Sequence, residues 1–162
     1  MYYLLPGISA FIITLLSILI ALKVFPKLGL LDKPEKYGLK RKPIPYPGGI
    51  LLYLLFVVFC LIFFNPPTLK LIGLLAGGGI LVIVNFIDDR RGLPALLRLG
   101  VQILVAIIMV AVGIGIESIT NPFGGYFMLN KLQFAFNLGG VTYTVMLLSA
   151  IFTVIWIVLI IN

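Results

Sequence analysis

Apolar residues in this chain do not alternate with polar ones. They form long runs separated by short polar clusters. A helix needs about 20 consecutive apolar residues to cross the hydrocarbon of a bilayer. Five runs approach that length: residues 4–25, 49–64, 69–87, 95–116 and 145–161. The pattern predicts an all-α polytopic membrane protein, a single transmembrane domain of about five transmembrane helices. Residues 117–144 break the pattern. There Gly124-Gly125 and Gly139-Gly140 bracket a stretch with partial alternation and aromatic residues. A small external β-hairpin between the fourth and fifth spans is the expectation. The first run has no basic leader and no small-residue cleavage site, so it reads as a retained span rather than a signal peptide.

Composition agrees with the pattern. The chain is 62% hydrophobic and 10% charged, with a mean hydropathy of +1.23. A soluble domain carries about 25% charged residues. The single cysteine, Cys60, leaves no disulfide within the chain. There is no histidine, which removes the commonest general base and the commonest ligand for zinc. Any metal would be a hard ion held by oxygen.

The net charge of +7 invites a nucleic-acid reading, but the basic residues flank apolar runs and so read as topology signals. Lys23, Lys27, Lys33, Lys36, Lys40, Arg41 and Lys42 surround the loop at residues 26–48, and Arg90, Arg91 and Arg98 surround the turn after the third run. The intervening loops hold only Lys70 and Lys131. The crowded side is expected to be cytoplasmic and the N-terminus external. Gly77, Gly78 and Gly79 in the third run read as a site of close helix packing.

The cytoplasmic end of the third run carries Asp88 and Asp89, two of only five acidic residues in the chain. Gly92 and Pro94 end the helix just beyond them. Successive helical residues point about 100° apart, so the two carboxylates cannot share one face. One can hold a metal while the other meets a different group, with Asn85 one turn earlier as a partner for either. Taken alone, the pair reads more readily as a solvated charge cluster at the membrane edge than as a functional site.

The loop "LDKPEKYGLKRKPIPYPGGI" adds to this. Pro34, Pro43, Pro45 and Pro47 stiffen it, and Lys40, Arg41 and Lys42 form a cationic knot suited to phosphate oxygens. A rigid basic loop and a carboxylate pair on one membrane face suggest phosphoryl transfer. Cations would hold phosphates, and Mg²⁺ on the acids would neutralise developing charge.

At "LDKP", "KPIPYPGGI" and "FIDDRRGLPALLRLGVQ" the chain resembles the polyprenyl-phosphate N-acetylhexosamine phosphate transferases, which include the phospho-MurNAc-pentapeptide translocase. Arg98 and Gln102 match an Arg and a Gln of that family's fourth span. The resemblance implies an integral membrane enzyme of cell-envelope glycan synthesis in a bacterial or archaeal cytoplasmic membrane. Such an enzyme transfers a phospho-sugar from a UDP-N-acetylhexosamine to a polyprenyl (undecaprenyl) phosphate, releases UMP and requires Mg²⁺. The "PIPYPGG" stretch is closer to the N-acetylglucosamine branch. By the same resemblance Asp88 and Asp89 are the catalytic and metal-binding acids. Lys40, Arg41 and Lys42 hold substrate phosphates, and Asn85, Arg98, Gln102 and Asn162 support them.

Two departures accompany it. The family's Arg-Lys-x-His is replaced here by Tyr37-Gly38-Leu39-Lys40, and the motif expected after the fifth span is represented only by Asn162. The expectation is therefore the N-terminal half of a longer enzyme. By itself it would be inactive, and inclined to pack poorly or to pair with a second copy as a homodimer. Two other classes are considered. A non-catalytic polytopic protein or transporter fragment expects polar residues near the bilayer midplane, and an intramembrane prenyltransferase needs a second acidic cluster.

Overall fold

The computed structural model describes residues 4–162 apart from 33, 39 and 140, with backbone alone at 36, 37, 136, 138, 141 and 143. Lys33 and Gly140, used above for topology and for the hairpin, lie outside the described residues. Among the described residues five α-helices occur: α1 (Leu4–Val24), α2 (Gly48–Phe63), α3 (Leu69–Arg91), α4 (Ala95–Ala111) and α5 (Leu147–Ile161). A 3-10 turn, Pro34–Tyr37, lies between α1 and α2. Four strands separate α4 from α5: β1 (Ser118–Thr120), β2 (Tyr126–Met128), β3 (Gln133–Leu138) and β4 (Val141–Met146).

Helix lengths refine the five-span expectation. Helices α1 and α3, of 21 and 23 residues, are long and apolar enough to cross a membrane. Helices α2, α4 and α5 are apolar but have 16, 17 and 15 residues. At about 1.5 Å per residue they rise roughly 22–26 Å, less than the roughly 30 Å hydrocarbon thickness. The chain also turns its apolar side chains outward. Among the described residues only Ala21, Cys60, Val105, Ala106 and Met109 are buried hydrophobics, while Leu5, Phe11, Leu96 and Leu159 are exposed. A soluble monomer rarely exposes a contiguous apolar patch of more than a few hundred Å². This distribution suits a membrane protein.

The chain divides into two compact units, with the boundary in sequence between Pro67 and Thr68. In the first, α1 packs on α2, with Ala21 and Cys60 buried. The loop between the helices is pinned at its base by an antiparallel bridge between Leu31 and Pro45.

In the second unit α3 packs on α4, and α4 on α5. The glycines of α3 make the first contact possible. A Cβ at Gly73 would lie 2.5 Å from Val112 Cγ2, and one at Gly77 would lie 2.5 Å from Met109 Cε and 3.0 Å from Val105 Cγ1. The packing role read from "AGGG" thus holds at Gly77. Gly73, one turn earlier, is a second such point that the sequence reading passed over. A polar contact ties the segment that follows α4 to α5. Thr153 Oγ1 accepts from the Ile116 N–H at 2.8 Å and donates to the Ser149 carbonyl at 2.6 Å.

Element ends differ from the hydropathy reading where polarity was a poor guide. Helix α3 outlasts its apolar run, which ends at residue 87, and passes through both aspartates to Arg91, where Gly92 ends it at φ 70° as its place just beyond the acids led one to expect. Helix α4 stops at Ala111 rather than 116. Ile114 and Ile116 keep the run apolar, but Gly113 turns the chain at φ 85°. One hairpin was expected, and two two-stranded antiparallel sheets are found, β1–β2 and β3–β4. Gly124 and Gly125 (φ 112° and 78°) turn the first, and Gly139 (φ 59°) lies in the turn of the second. Gly124, Gly125 and Gly139 therefore lie in turns instead of bracketing a single hairpin.

Candidate active site

Asp88 and Asp89 occupy the last turn of α3, where the backbone carbonyls carry partial negative charge. Gly92, in the left-handed region, donates its N–H to the Asp88 carbonyl at 2.8 Å and swings the chain toward α4. Leu93 then presents its N–H to Asp88 Oδ1 at 2.6 Å. The first turn of α4 brings Arg98, whose Nη1 lies 2.9 Å from Asp88 Oδ2. Both oxygens of Asp88 are thus engaged by the α3–α4 corner.

Asp89 differs. It is exposed, and among the described residues no hydrogen bond or ion pair engages its carboxylate. The two acids point apart, as helical spacing requires. The neighbouring Arg90 guanidinium sits 4.5 Å from the centre of the Phe86 ring, a cation–π contact at helical i, i+4 spacing. Asn85 is exposed and makes no hydrogen bond to either aspartate.

Gln102 follows Arg98 by one turn of α4, on the stripe that continues through Val105 and Met109 against Gly77 of α3. It is 8% exposed. Its Oε1 is buried with no hydrogen-bond partner among the described residues. A buried acceptor left unpaired costs about 1–3 kcal/mol. Asn162, just past α5, is exposed and donates its backbone N–H to the Val158 carbonyl.

The basic loop belongs to the first unit, and its three cations are not equivalent. Arg41 forms an ion pair with Asp32 through Nη2 and Oδ2. The other oxygen of Asp32 accepts the Ile44 N–H at 2.7 Å, and the Asp32 N–H donates to the Ile44 carbonyl at 2.9 Å. The Ile44 N–H, with Arg41 beside it, holds the Asp32 carboxyl below the usual carboxylate range against a smaller opposing effect of desolvation. Arg41 thereby closes the loop, while Lys40 and Lys42 on either side of it are exposed. Asp32 is the residue that the site reading missed. The available signal was an acid in "LDKP", eight residues before a run of three cations.

Among the described residues no group of three or more acidic, cysteine or histidine side chains is placed to hold a metal. Mg²⁺ does not require one. It is commonly held by one or two carboxylates, with waters and substrate phosphates completing an octahedron. The free carboxylate of Asp89 fits that donor set better than Asp88, which is already spoken for.

The profile of glycosyl transferase family 4 matches residues 71–162, from the first turns of α3 to the end of α5. The chain is 34% identical over 123 residues to the undecaprenyl-phosphate alpha-N-acetylglucosaminyl 1-phosphate transferase of Yersinia pestis, covering 75% of this chain and 33% of that protein. The Escherichia coli K12 protein of the same name is 33% identical over 124 residues, with the same coverage. A probable undecaprenyl-phosphate N-acetylglucosaminyl 1-phosphate transferase of Bacillus subtilis is 27% identical over 159 residues, covering 96% of this chain and 40% of its own length. The chain thus spans roughly a third to two fifths of the curated relatives it matches. No solved structure matches it.

Proposed function

The chain belongs to glycosyl transferase family 4, and from that premise we propose that it is part of a membrane enzyme transferring phospho-N-acetylglucosamine from a UDP-sugar to a polyprenyl phosphate. In the reaction a phosphate oxygen of the lipid attacks the sugar-bearing phosphorus. The bond from that phosphorus to the bridging oxygen breaks, and UMP leaves with that oxygen and its electron pair. The names of the relatives supply the lipid and the sugar phosphate. The UDP donor, UMP release and Mg²⁺ are what the family resemblance implies and are part of the proposal.

The observation that carries this reading is the inequality of the two aspartates. Asp88 is clamped by Leu93 and Arg98, so it fixes the helix corner and keeps Arg98 close to the acids. Asp89 is free to bind. Mg²⁺, when bound, would sit on Asp89 and neutralise charge on the phosphate oxygens. Gln102, one turn below Arg98, offers a buried acceptor behind the corner. Lys40 and Lys42 are left exposed by the Asp32–Arg41 clasp and would receive diphosphate oxygens as point charges. Arg41 holds the loop that presents them.

The test is a transfer assay on the full-length protein in detergent, with UDP-N-acetylglucosamine, undecaprenyl phosphate and Mg²⁺. UMP should appear in step with sugar-bearing lipid, and Asp89→Asn should abolish both. Release of UDP instead of UMP would mean transfer of the sugar alone and would overturn the proposed bond cleavage.

A further inference from the structure

At the end of the α3–α4–α5 unit opposite the aspartates, the chain leaves α4 and returns to α5 through the two hairpins. Both are tied to the helices. A Cβ at Gly113 would lie 3.4 Å from Cε of Lys70, which is in the first turn of α3. The Ile116 N–H bonds to Thr153 of α5 at 2.8 Å. The Leu147 N–H bonds to the Leu132 carbonyl at 3.0 Å, which joins β3 and β4 to the start of α5. Phe123 follows Ile116 by about seven residues, a reach of at most about 25 Å. Since α3 is of spanning length, the hairpins start where the surface of a bilayer lies.

Their composition does not suit water. From residue 114 to 146 the only charged residues are Glu117 and Lys131. Register sorts the rest into faces. Ser118↔Met128 and Thr120↔Tyr126 share one face of the first ribbon, and Ile119↔Phe127 occupies the other. All of β2 is exposed, and Phe123 at the tip is 96% exposed. In the second ribbon Phe134↔Val145 lies on one face, with Ala135↔Thr144 and Asn137↔Thr142 on the other. Phe134 and Val145 are exposed as well. An isolated two-stranded ribbon is at best marginally stable in water.

We propose that the two hairpins lie flat on the bilayer as amphipathic β-ribbons, with Ile119, Phe123, Phe127, Phe134 and Val145 set into the lipid interface. The occupant of these apolar faces is lipid at the boundary of headgroup and acyl chain. The faces continue along the chain into the exposed apolar surfaces of α4 and α5, which carry Leu104, Ile107, Leu148 and Ile151. Strand β4 passes into α5 without an intervening residue. Phe, Trp and Leu line the buried face of amphipathic elements that lie at this depth. Ribbons anchored there fix the height of α4 and α5, two helices otherwise short for the hydrocarbon.

Trp156 is the only tryptophan, so Trp156→Phe gives a background for single reporters. Phe123→Trp, Phe127→Trp and Tyr126→Trp are each placed in it, and the protein is reconstituted in nanodiscs of phosphatidylcholine and phosphatidylglycerol. For the tryptophans at positions 123 and 127, a nitroxide near the lipid headgroup should quench about two-fold more than one deep in the acyl chain. Iodide quenching should be about five-fold weaker than for N-acetyltryptophanamide. The tryptophan at 126, on the opposite face, should stay open to iodide. Full iodide access at 123 and 127 without lipid quenching would overturn the proposal by placing the ribbons in water. Protection from both quenchers would overturn it by placing protein over the apolar faces.

Discussion

Arg98 reaches back across the Gly92–Pro94 turn to Asp88, so the carboxylate near the end of α3 is held by the first turn of α4 at 2.9 Å. Asp89 has no such tether, and the two acids should therefore fail differently. Asp88→Asn keeps the side chain's shape but removes its charge. The ion pair is partly solvated, with side chains 45% and 20% exposed, so the loss should be about 0.5–1 kcal/mol. The unfolding midpoint in detergent should fall by about 2–4 °C. Arg98→Ala should do the same and add little to Asp88→Asn. Asp89→Asn should leave the midpoint unchanged while transfer falls by about 100-fold or more. Equal midpoints for the two Asn variants, measured beside UMP release, would remove the distinction between clamp and ligand.

Glycines in α3 and α4 should respond to alanine according to what each Cβ meets. At Gly73 the obstacle is Val112 Cγ2 at 2.5 Å, part of a stiff β-branched side chain. Gly73→Ala should cost about 1–3 kcal/mol through overpacking. At Gly77 the closest atom is the flexible end of Met109, with Val105 at 3.0 Å, so the cost should be smaller. Gly100 has nothing within 4 Å, and Gly100→Ala should stabilise α4 by up to about 1 kcal/mol. Thermal unfolding in one detergent should rank the variants Gly100→Ala, Gly77→Ala, Gly73→Ala from most to least stable.

Much of this was legible in the runs of apolar residues, because a membrane helix needs little more than length and hydropathy. Helices α3 and α4 begin at Leu69 and Ala95, where their apolar runs begin, for that reason. The end of α4 did not, since Ile114 and Ile116 are as apolar as a helix interior and only the backbone freedom of Gly113 decides the turn. The pair Asp88–Asp89 and its resemblance to a transferase motif were visible, but the difference in their hydrogen-bond partners was not. It depends on Leu93 and Arg98 folding back across the Gly92–Pro94 turn. The same is true of Arg41. Sequence shows three cations in a row, and only the approach of Asp32 to Ile44 reveals that one of them closes the loop.

Orientation rests on charge. Ten of the twelve Lys and Arg residues flank the 26–48 loop and the α3–α4 turn, and that side is expected to be cytoplasmic. In a Cys60→Ser background, Lys27→Cys should resist an impermeant maleimide in intact cells and react after permeabilisation. Lys131→Cys, between the two hairpins, should react from outside without permeabilisation. The reverse pattern would turn the aspartates away from cytoplasmic UDP-sugar and so count against the proposed reaction as well.

The last prediction concerns the Asp32 clasp, whose sign with pH is fixed by its partners. Ile44 and Arg41 favour the ionised carboxyl, so its value in the folded loop lies below that of an unstructured aspartate. A group shifted in this direction contributes fully above its unfolded value and loses that contribution as pH falls through the folded one. Amide exchange read by mass spectrometry, corrected for the intrinsic pH dependence, should show steady protection of the Ile44 N–H from neutral pH down to about 5, with loss below about 4. Asp32→Asn should abolish that step. At neutral pH the same variant should be cut several-fold faster by trypsin, roughly in proportion to how often the loop opens. Cleavage should follow Lys40 and Arg41, because Pro43 protects the bond after Lys42. Exchanging the charges with Asp32→Arg and Arg41→Asp should restore resistance to trypsin if the pair acts through attraction, but not the Ile44 step, because the acceptor of that N–H has moved. Protection at Ile44 that ignores both pH and Asp32→Asn would mean that the prolines alone hold the loop and that Arg41 is as free to meet phosphate as its neighbours.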